Sequence, residues 1–247
     1  MSGSVVTSNA TATGGASGDV FGDALARSKY SGLSGTYTAT ATTGAAAGLV
    51  TALSAAAQGS VKGSGEAEAE AAFSAATPTS GGYQALAVAI ADPLKAGAAA
   101  VLADNSQIGV RFGAAPTYVA QGELGGEYQN GGGGDQTITD QIDMSLESSG
   151  AATSGELWLG LYNGASLGAG VSGLTFQLEA NGGPVVNESF QSAAAAGAFF
   201  GGEALDLGAW SALGSSGTIA LQMTMTETTT SAGSGLAGNF LLGVSHG

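Results

Sequence analysis

An all-β fold, an antiparallel β-sandwich or jelly roll with one or two short Ala-rich helices, is what this sequence predicts. Three observations carry it. Past residue 137 the large apolar residues fall on alternate positions of successive short segments, the period of a strand with one buried face. Gly-rich turns separate these segments at spacings of roughly 10–20 residues, as in sandwiches. The length, 247 residues, suits one all-β domain. Small Ala faces on several segments also fit a β-solenoid, the alternative architecture.

Residues 1–32 read as a flexible leader dominated by Ser, Thr, Gly and Ala. A short helix over Val20–Lys29, with Val20, Phe21 and Leu25 near one face, is the other reading of its second half. Residues 33–247 read as a single β-rich domain whose best-patterned part is 137–247. From Thr36 to Thr42 the chain alternates Thr with Tyr37, Ala39 and Ala41, giving a strand with one hydroxyl face and one small face. Threonine rows on flat strands order water in ice-binding solenoids. A single row makes no flat array, and the expectation is a solvated face. Residues 44–60 suggest a small Ala helix around Leu49, Val50 and Leu53. Val61–Phe73 follows as a strand that puts Glu66, Glu68 and Glu70 on one face. Carboxylates about 7 Å apart repel, so this face is solvated or holds a cation, and solvation is expected.

Tyr83–Ala91 sets Leu86, Val88 and Ile90 against alternate alanines, and Asp92-Pro93 ends that strand. Lys95–Ala103 predicts a turn or two of helix, and Ile108–Phe112 and Thr117–Tyr128 predict strands. After the loop at 130–135, Ile138, Ile142, Met144 and Leu146 share one parity, with Asp140 interrupting the apolar face. Glu156–Tyr162 carries Leu157, Leu159 and Leu161 on one side, and Asn163-Gly164 supplies a turn. Val171–Glu179 turns through Asn181-Gly182-Gly183-Pro184 into Val185–Phe190. Ser192 caps a helix over Ala193–Phe200 that ends at Gly201-Gly202, with Leu205 and Leu207 continuing its cover. Thr218–Thr226 alternates most cleanly, and Phe240–Val244 closes the sheet.

Composition narrows the function. Gly contributes 44 residues and Ala 48, whereas Leu, Ile, Val and Phe together make up only about a fifth of the chain, the border of disorder for a charged sequence. The net charge is −14, and no Lys or Arg follows Arg111. Such a chain lacks the basic patch that nucleic acid or an anionic membrane surface needs. No apolar run is long enough for a membrane helix. Cysteine is absent, which removes disulfides, thiolate metal sites and cysteine nucleophiles. Residues 1–20 hold no basic residue and no apolar run of signal-peptide length. A cytosolic chain, a trimmed chain and export by a C-terminal signal all fit, and the acidic, Gly-rich, cysteine-free composition points to the cell surface or exterior.

Few residues suit catalysis. His246 is the only histidine, which leaves no Ser-His-Asp triad or histidine metal site. Two-carboxylate glycoside hydrolysis needs none, and its candidates are Asp140, Asp143, Glu147 and Glu156. The glycines before Asp135 fit neither a phosphate loop, which needs a following Lys, nor a tandem calcium repeat. The candidates for isolated Ca²⁺ ligands are Asp92, Asp104, Asp135, Asp140 and Glu203, and no other cofactor is expected. Trp158, Tyr162 and Trp210 are candidates for a sugar-stacking platform, although aromatics more often seal a core.

The stretch LTFQLEANGGPVVNESFQSAAAAGAFFGGEALDLG, Leu174–Gly208, with the alternating strand after it, resembles C-terminal β-sandwich modules of secreted or surface-anchored bacterial proteins. Type I-exported and anchor-sorted proteins carry such modules. The resemblance covers about residues 174–247; it implies extracellular placement and no catalytic residues. No Pro-Glu-Pro motif, membrane segment or basic tail of the anchored type is present in the sequence. The expectation is a non-enzymatic extracellular-matrix, biofilm-matrix or cell-surface structural and adhesive β-protein that self-associates or contacts extracellular polysaccharide. A carbohydrate-binding β-sandwich is the alternative, and a glycan hydrolase or lyase is a third reading.

Overall fold

Alternation of small or apolar residues with polar ones builds nearly every element of this protein. The computed structural model describes residues 6–13, 24–42, 49–73, 85–91, 95–128, 135–147, 154–215 and 217–246. Among them the strands are β1 (Val6–Thr13), β2 (Ala24–Thr42), β3 (Val50–Phe73), β4 (Ala85–Ala91), β5 (Thr117–Tyr128), β6 (Gln136–Glu147), β7 (Glu156–Leu167), β8 (Val171–Ala180), β9 (Gly183–Phe190), β10 (Glu203–Ala209), β11 (Thr218–Thr229) and β12 (Ser234–Ser245). The helices are α1 (Lys95–Asp104), α2 (Ser106–Phe112), α3 (Ala193–Phe199) and α4 (Trp210–Leu213).

β3 is the spine. Along one side it pairs antiparallel with β2. Along the other its first half pairs antiparallel with β6 and its second half parallel with β4. From β6 the hydrogen-bonded path continues through β11 and β8 to β9; from β4 it continues through β5, β12 and β7 to β10. β1 adds to β2 in parallel. One sheet therefore divides at β3 into two layers that share a core. Ile138, Ile142, Met223 and Phe176 enter it from one layer, and Leu124, Leu159, Phe240 and Leu242 from the other. This is the predicted all-β sandwich, with parallel pairing at β1–β2 and β3–β4. It is not the solenoid, whose successive strands would stack in parallel.

The thin composition suffices because each large residue is placed. β6 and β11 bury every second side chain, and their inner rows carry Leu146, Met144, Ile219, Leu221 and Met225. Ala39, Ala41, Ala55 and Ala57 form the inner face of β2 and β3 and are wholly buried. The Ser192 hydroxyl caps α3, accepting the Ala195 N–H at 3.2 Å. The end of α3 then brings Phe199 and Phe200 onto Phe176 and Phe190, with the Phe176–Phe200 rings edge-on at 5.3 Å. Asn181 and Gly182, at φ 51 and 77, make the tight turn between β8 and β9, as a primed hairpin turn requires.

Several expectations are corrected. Of the span read as a leader, residues 6–13 form β1 and residues 24–32 open β2. The helix reading of Val20–Lys29 gives way to strand over its described part, Ala24–Lys29. The Ala helix at 44–60 is strand from Val50 onward. Val50 and Leu53 both face inward because one extra residue between Val50 and Ala52 resets the parity. Ile108–Phe112 is helical: Ile108 and Phe112, four apart, land on one face of α2 and are both fully buried. β7 does not turn at Asn163-Gly164. It runs on to Leu167 with a bulge there, Asn163 adopting φ 55. β12 does not close an edge but lies between β5 and β7. Leu205 and Leu207 belong to the edge strand β10. The glycines of β5 do not weaken it. A Cβ on Gly122 would lie 2.0 Å from the Val88 carbonyl and 2.5 Å from the Phe240 ring, so glycine is what lets β4 and Phe240 approach.

Candidate functional site

Strand register assembles a polar surface on the outside of the β3–β9 layer. Thr42 on β2, Ser54 on β3, Asp143 on β6, Gln222 on β11 and Glu179 on β8 are successive cross-strand partners in one row. One step along the strands lies Thr40, Ala56, Gln141, Thr224 and Gln177, and beyond it Thr38, Gln58, Thr139, Thr226 and Thr175. These side chains point outward because their neighbours, Ala41, Ala55, Ile142 and Met223 among them, point into the core. The expectation of an isolated threonine row is thereby corrected: the Thr36–Thr42 row is one column of a multi-strand array. Where the rows meet the small side chains Ala52, Ser145 and Ala220, the surface sinks into a cleft of about 380 Å³. Gly182 of the β8–β9 turn also lines it.

Asp143 is held rigidly in this cleft. Gln222 Nε2 donates to Oδ1 and Gln141 Nε2 to Oδ2, each at 2.7 Å. At its far side the Thr42 and Ser54 hydroxyls meet at 3.3 Å. Two amide donors fix the carboxylate plane and leave further lone pairs on both oxygens facing the cleft. No basic side chain lines it among the described residues.

The hydrolase candidates do not converge. Asp143 and Glu147 share a face of β6, but four residues of strand separate them by about 13 Å, beyond either glycosidase spacing. Asp140 points to the opposite, inner face, and Glu156 opens β7 in the other layer. Nor do the three aromatics form a platform. Trp210 is buried in the central core. Tyr162 is buried on the outer side of β7 beneath α2, with Ile108 and Phe112. Trp158 packs partly exposed against that cluster, the Arg111 guanidinium 5.8 Å from its ring centre. Burial, and then the charge of Glu123, push the Tyr162 phenol up to about 12.

The calcium candidates scatter likewise. Asp92 lies outside the described residues. Asp135 is exposed ahead of β6. Asp104 and Glu203 are exposed beside adjacent shallow clefts that share Gln107 and Gly202. Asp140 alone is buried, and it has company that sequence reading missed. Glu227, on the inner face of β11, is fully buried, with Thr229 two residues further on the same face and Gln136 directly across on β6. Glu227 Oε2 accepts the Leu236 N–H at 3.0 Å, while its Oε1, both Asp140 oxygens and the Thr229 hydroxyl have no hydrogen-bond partner. Burial pushes Glu227 up to about 8, and it holds Asp140 well above the usual carboxylate range, with the Glu227 charge adding to it. The backbone N–H groups of Gly125 and Leu86 act on Asp140 in the opposite sense, favouring its charged form. The row of glutamates on β3 is also resolved. Arg27 of β2 stands opposite Glu68 and pairs with its carboxylate, so a protein cation occupies the face expected to be solvated.

Among the described residues no helix is long and apolar enough to cross a membrane. No family model and no curated protein matches the chain. Solved structures give weak likenesses that include carbohydrate-binding sandwiches and glycan-active enzymes. An acetyl xylan esterase, Est2A, from Butyrivibrio proteoclasticus is 13% identical over 49% of this chain and 25% of its own, with a TM-score of 0.20. This chain thus spans a quarter of that enzyme's length. A carbohydrate-binding module of the β-sandwich superfamily is 10% identical over 78% of this chain and 73% of its own, with a TM-score of 0.20. A protein of Parabacteroides distasonis described as secreted is 8% identical over 94% of this chain and 84% of its own, with a TM-score of 0.25.

Proposed function

We propose that this protein is a non-catalytic, extracellular adhesive β-sandwich that holds a neutral glycan on the outer face of its β3–β9 layer. The observation that supports this most is the register-aligned array of hydroxyl, amide and carboxylate side chains that meets in the cleft at Asp143. A polyhydroxylated polymer offers a donor and an acceptor at every hydroxyl. The array offers both on strands about 4.8 Å apart. The fixed carboxylate of Asp143 accepts strong, charge-assisted bonds from sugar hydroxyls. With Asp143 and Glu179 in the cleft and no cation lining it, an acidic polysaccharide would be repelled, which restricts the class to neutral chains. The sequence supports extracellular placement through its net charge of −14 and its lack of cysteine. The resemblance of residues 174–247 to modules of secreted and surface bacterial proteins points the same way.

The test is affinity electrophoresis and calorimetry against neutral polysaccharides, xylan and β-glucans among them, with a polyuronate as the charged control. Binding to a neutral chain, weakened at least tenfold in Asp143→Ala and in Gln222→Ala, is expected. Absence of binding across the panel, or equal binding by both variants, refutes it. So does turnover of the polysaccharide that disappears in Asp143→Asn or Glu179→Gln, since two strands place those carboxylates about 10 Å apart, near the spacing of inverting hydrolases.

A further inference from the structure

We propose that the threonine columns on the outer face of the β3–β9 layer bind the surface of ice. This goes beyond the glycan-binding reading, since it rests on the rows away from the Asp143 cleft. Threonine recurs at every second position on three strands. β2 carries Thr36, Thr38 and Thr40, and β11 carries Thr224, Thr226 and Thr228. Between them β6 adds Thr137 opposite Thr228 and Thr139 opposite Thr226. Beyond Thr226 lies Thr175 of β8, and beside Thr40 on the opposite flank stands Thr11 of β1. Only β3 interrupts the pattern, setting Ala56, Gln58 and Ser60 into the same rows. None of these side chains is buried.

Three properties separate this array from an ordinary polar face. The first is its lattice. Hydroxyls repeat about 4.8 Å apart across strands and about 6.7 Å apart along them, and ice repeats its oxygens at spacings of this size in two directions. The register runs unbroken through these rows. The irregularities of β2–β3, β3–β6 and β11–β8 fall at Gly32/Gly35, Val50/Ala52 and Thr228/Thr229, outside the rows or at their border. Bulges add local twist, so their position leaves one spacing across the array. The second is stiffness. Threonine is β-branched and restricted at χ1, and the Thr139 and Thr226 hydroxyls are tied to each other across the strands at 3.3 Å. Little side-chain freedom is then lost on binding. Serine or asparagine would serve a flexible glycan as well, whereas a stiff hydroxyl beside a methyl group suits a fixed lattice of water. The third is charge. The chain has 19 carboxylates, yet none stands in these rows; the nearest, Asp143 and Glu179, belong to the cleft row. A carboxylate orders its own hydration shell and would break the lattice.

The decisive measurement is thermal hysteresis of the full chain by nanolitre osmometry, beside its partition into slowly growing ice with serum albumin as the excluded control. Expected are faceted crystals, a freezing gap that widens with protein concentration, and enrichment in the ice fraction. Thr226→Tyr raises a phenol above the middle of the array and should cut the freezing gap at least about fivefold while leaving Tm unchanged. Thr38→Tyr, on β2, tests the same surface where the first variant does not fold. Exclusion from ice together with the albumin, or a gap that both folded variants keep in full, overturns the proposal. So does adsorption of the protein to an insoluble neutral polysaccharide without any effect on ice, which would assign the rows to the glycan. No glycan is present in the ice measurements, so their failure leaves the glycan reading standing, and a glycan panel without binding leaves this one.

Discussion

Raising the pH should destabilise the protein steeply, and Glu227 contributes to the slope. In the unfolded chain its carboxyl ionises near the ordinary 4.5, whereas in the fold burial keeps the proton on until about 8. Between those values the folded state binds a proton that the unfolded state has released. Stability is therefore full below pH 4.5 and falls as the pH climbs towards 8. Each unit of difference is worth about 1.4 kcal/mol, so Glu227 alone costs about 5 kcal/mol by pH 8. Glu123, pushed up to about 7 by burial, costs about 3 kcal/mol more over the window from 4.5 to 7. Asp140 acts in the same direction. Losses of this size rival the whole stability of an ordinary domain. Urea unfolding at pH 5, 6.5 and 8 reads the effect as a falling midpoint. Glu227→Gln, which has no proton to lose, should flatten the upper part of the curve and exceed the wild type in stability at pH 8. A midpoint that is constant or rises between pH 5 and 8 would refute the reasoning.

Other outcomes follow from packing and turn geometry. Phe200→Ala removes a ring that touches Phe176 and Phe199 in the core and should cost about 3–5 kcal/mol, a fall in Tm of roughly 10 °C by calorimetry. Asn181→Ala loses the Nδ2 bond to the Leu213 carbonyl and the Oδ1 bond from the Ala220 N–H, and it strains a backbone at φ 51. About 2–3 kcal/mol is expected in urea unfolding. Asn181→Gly keeps the backbone free and should lose only about 1 kcal/mol, and equal losses in the two variants would show that φ contributes nothing.

Much of the second half was legible because its buried residues are large and its period is two. In β11, Ile219, Leu221, Met223 and Met225 admit no other reading. Where prediction failed, one residue set satisfied two periods. Ile108 and Phe112 are four apart, which is one face of a strand and also one face of a helix; only α2's packing against the outer side of β7 and β12 decides between them. In β3, alanine is a good helix former and gives almost no amphipathic signal, so the alternation of Ala55 and Ala57 with Ala56 and Gln58 was invisible. The bulge after Val50 then gave Val50 and Leu53 a helix-like spacing. The site residues were half legible. Asp140 stood out as a charge on an apolar parity, and Glu227 carries that same signal one step past Met225. The outer array was not legible, since Thr42, Ser54, Asp143, Gln222 and Glu179 come from five strands whose register no single segment encodes.

The place of β12 has a consequence for how the chain folds. β5 and β7 touch across that layer only through a strand that follows them by more than 65 residues. Until 234–245 has been made and threaded between them, β7 and β10 have nothing to join and the hydrogen-bonding edge of β5 stays open. The most distant partners thus close late, after a large loss of chain entropy, which places this protein among the slow, all-or-none folders. A ribosome-bound fragment that lacks this segment should stay protease-sensitive throughout, and the whole layer should gain protection together once the segment is present.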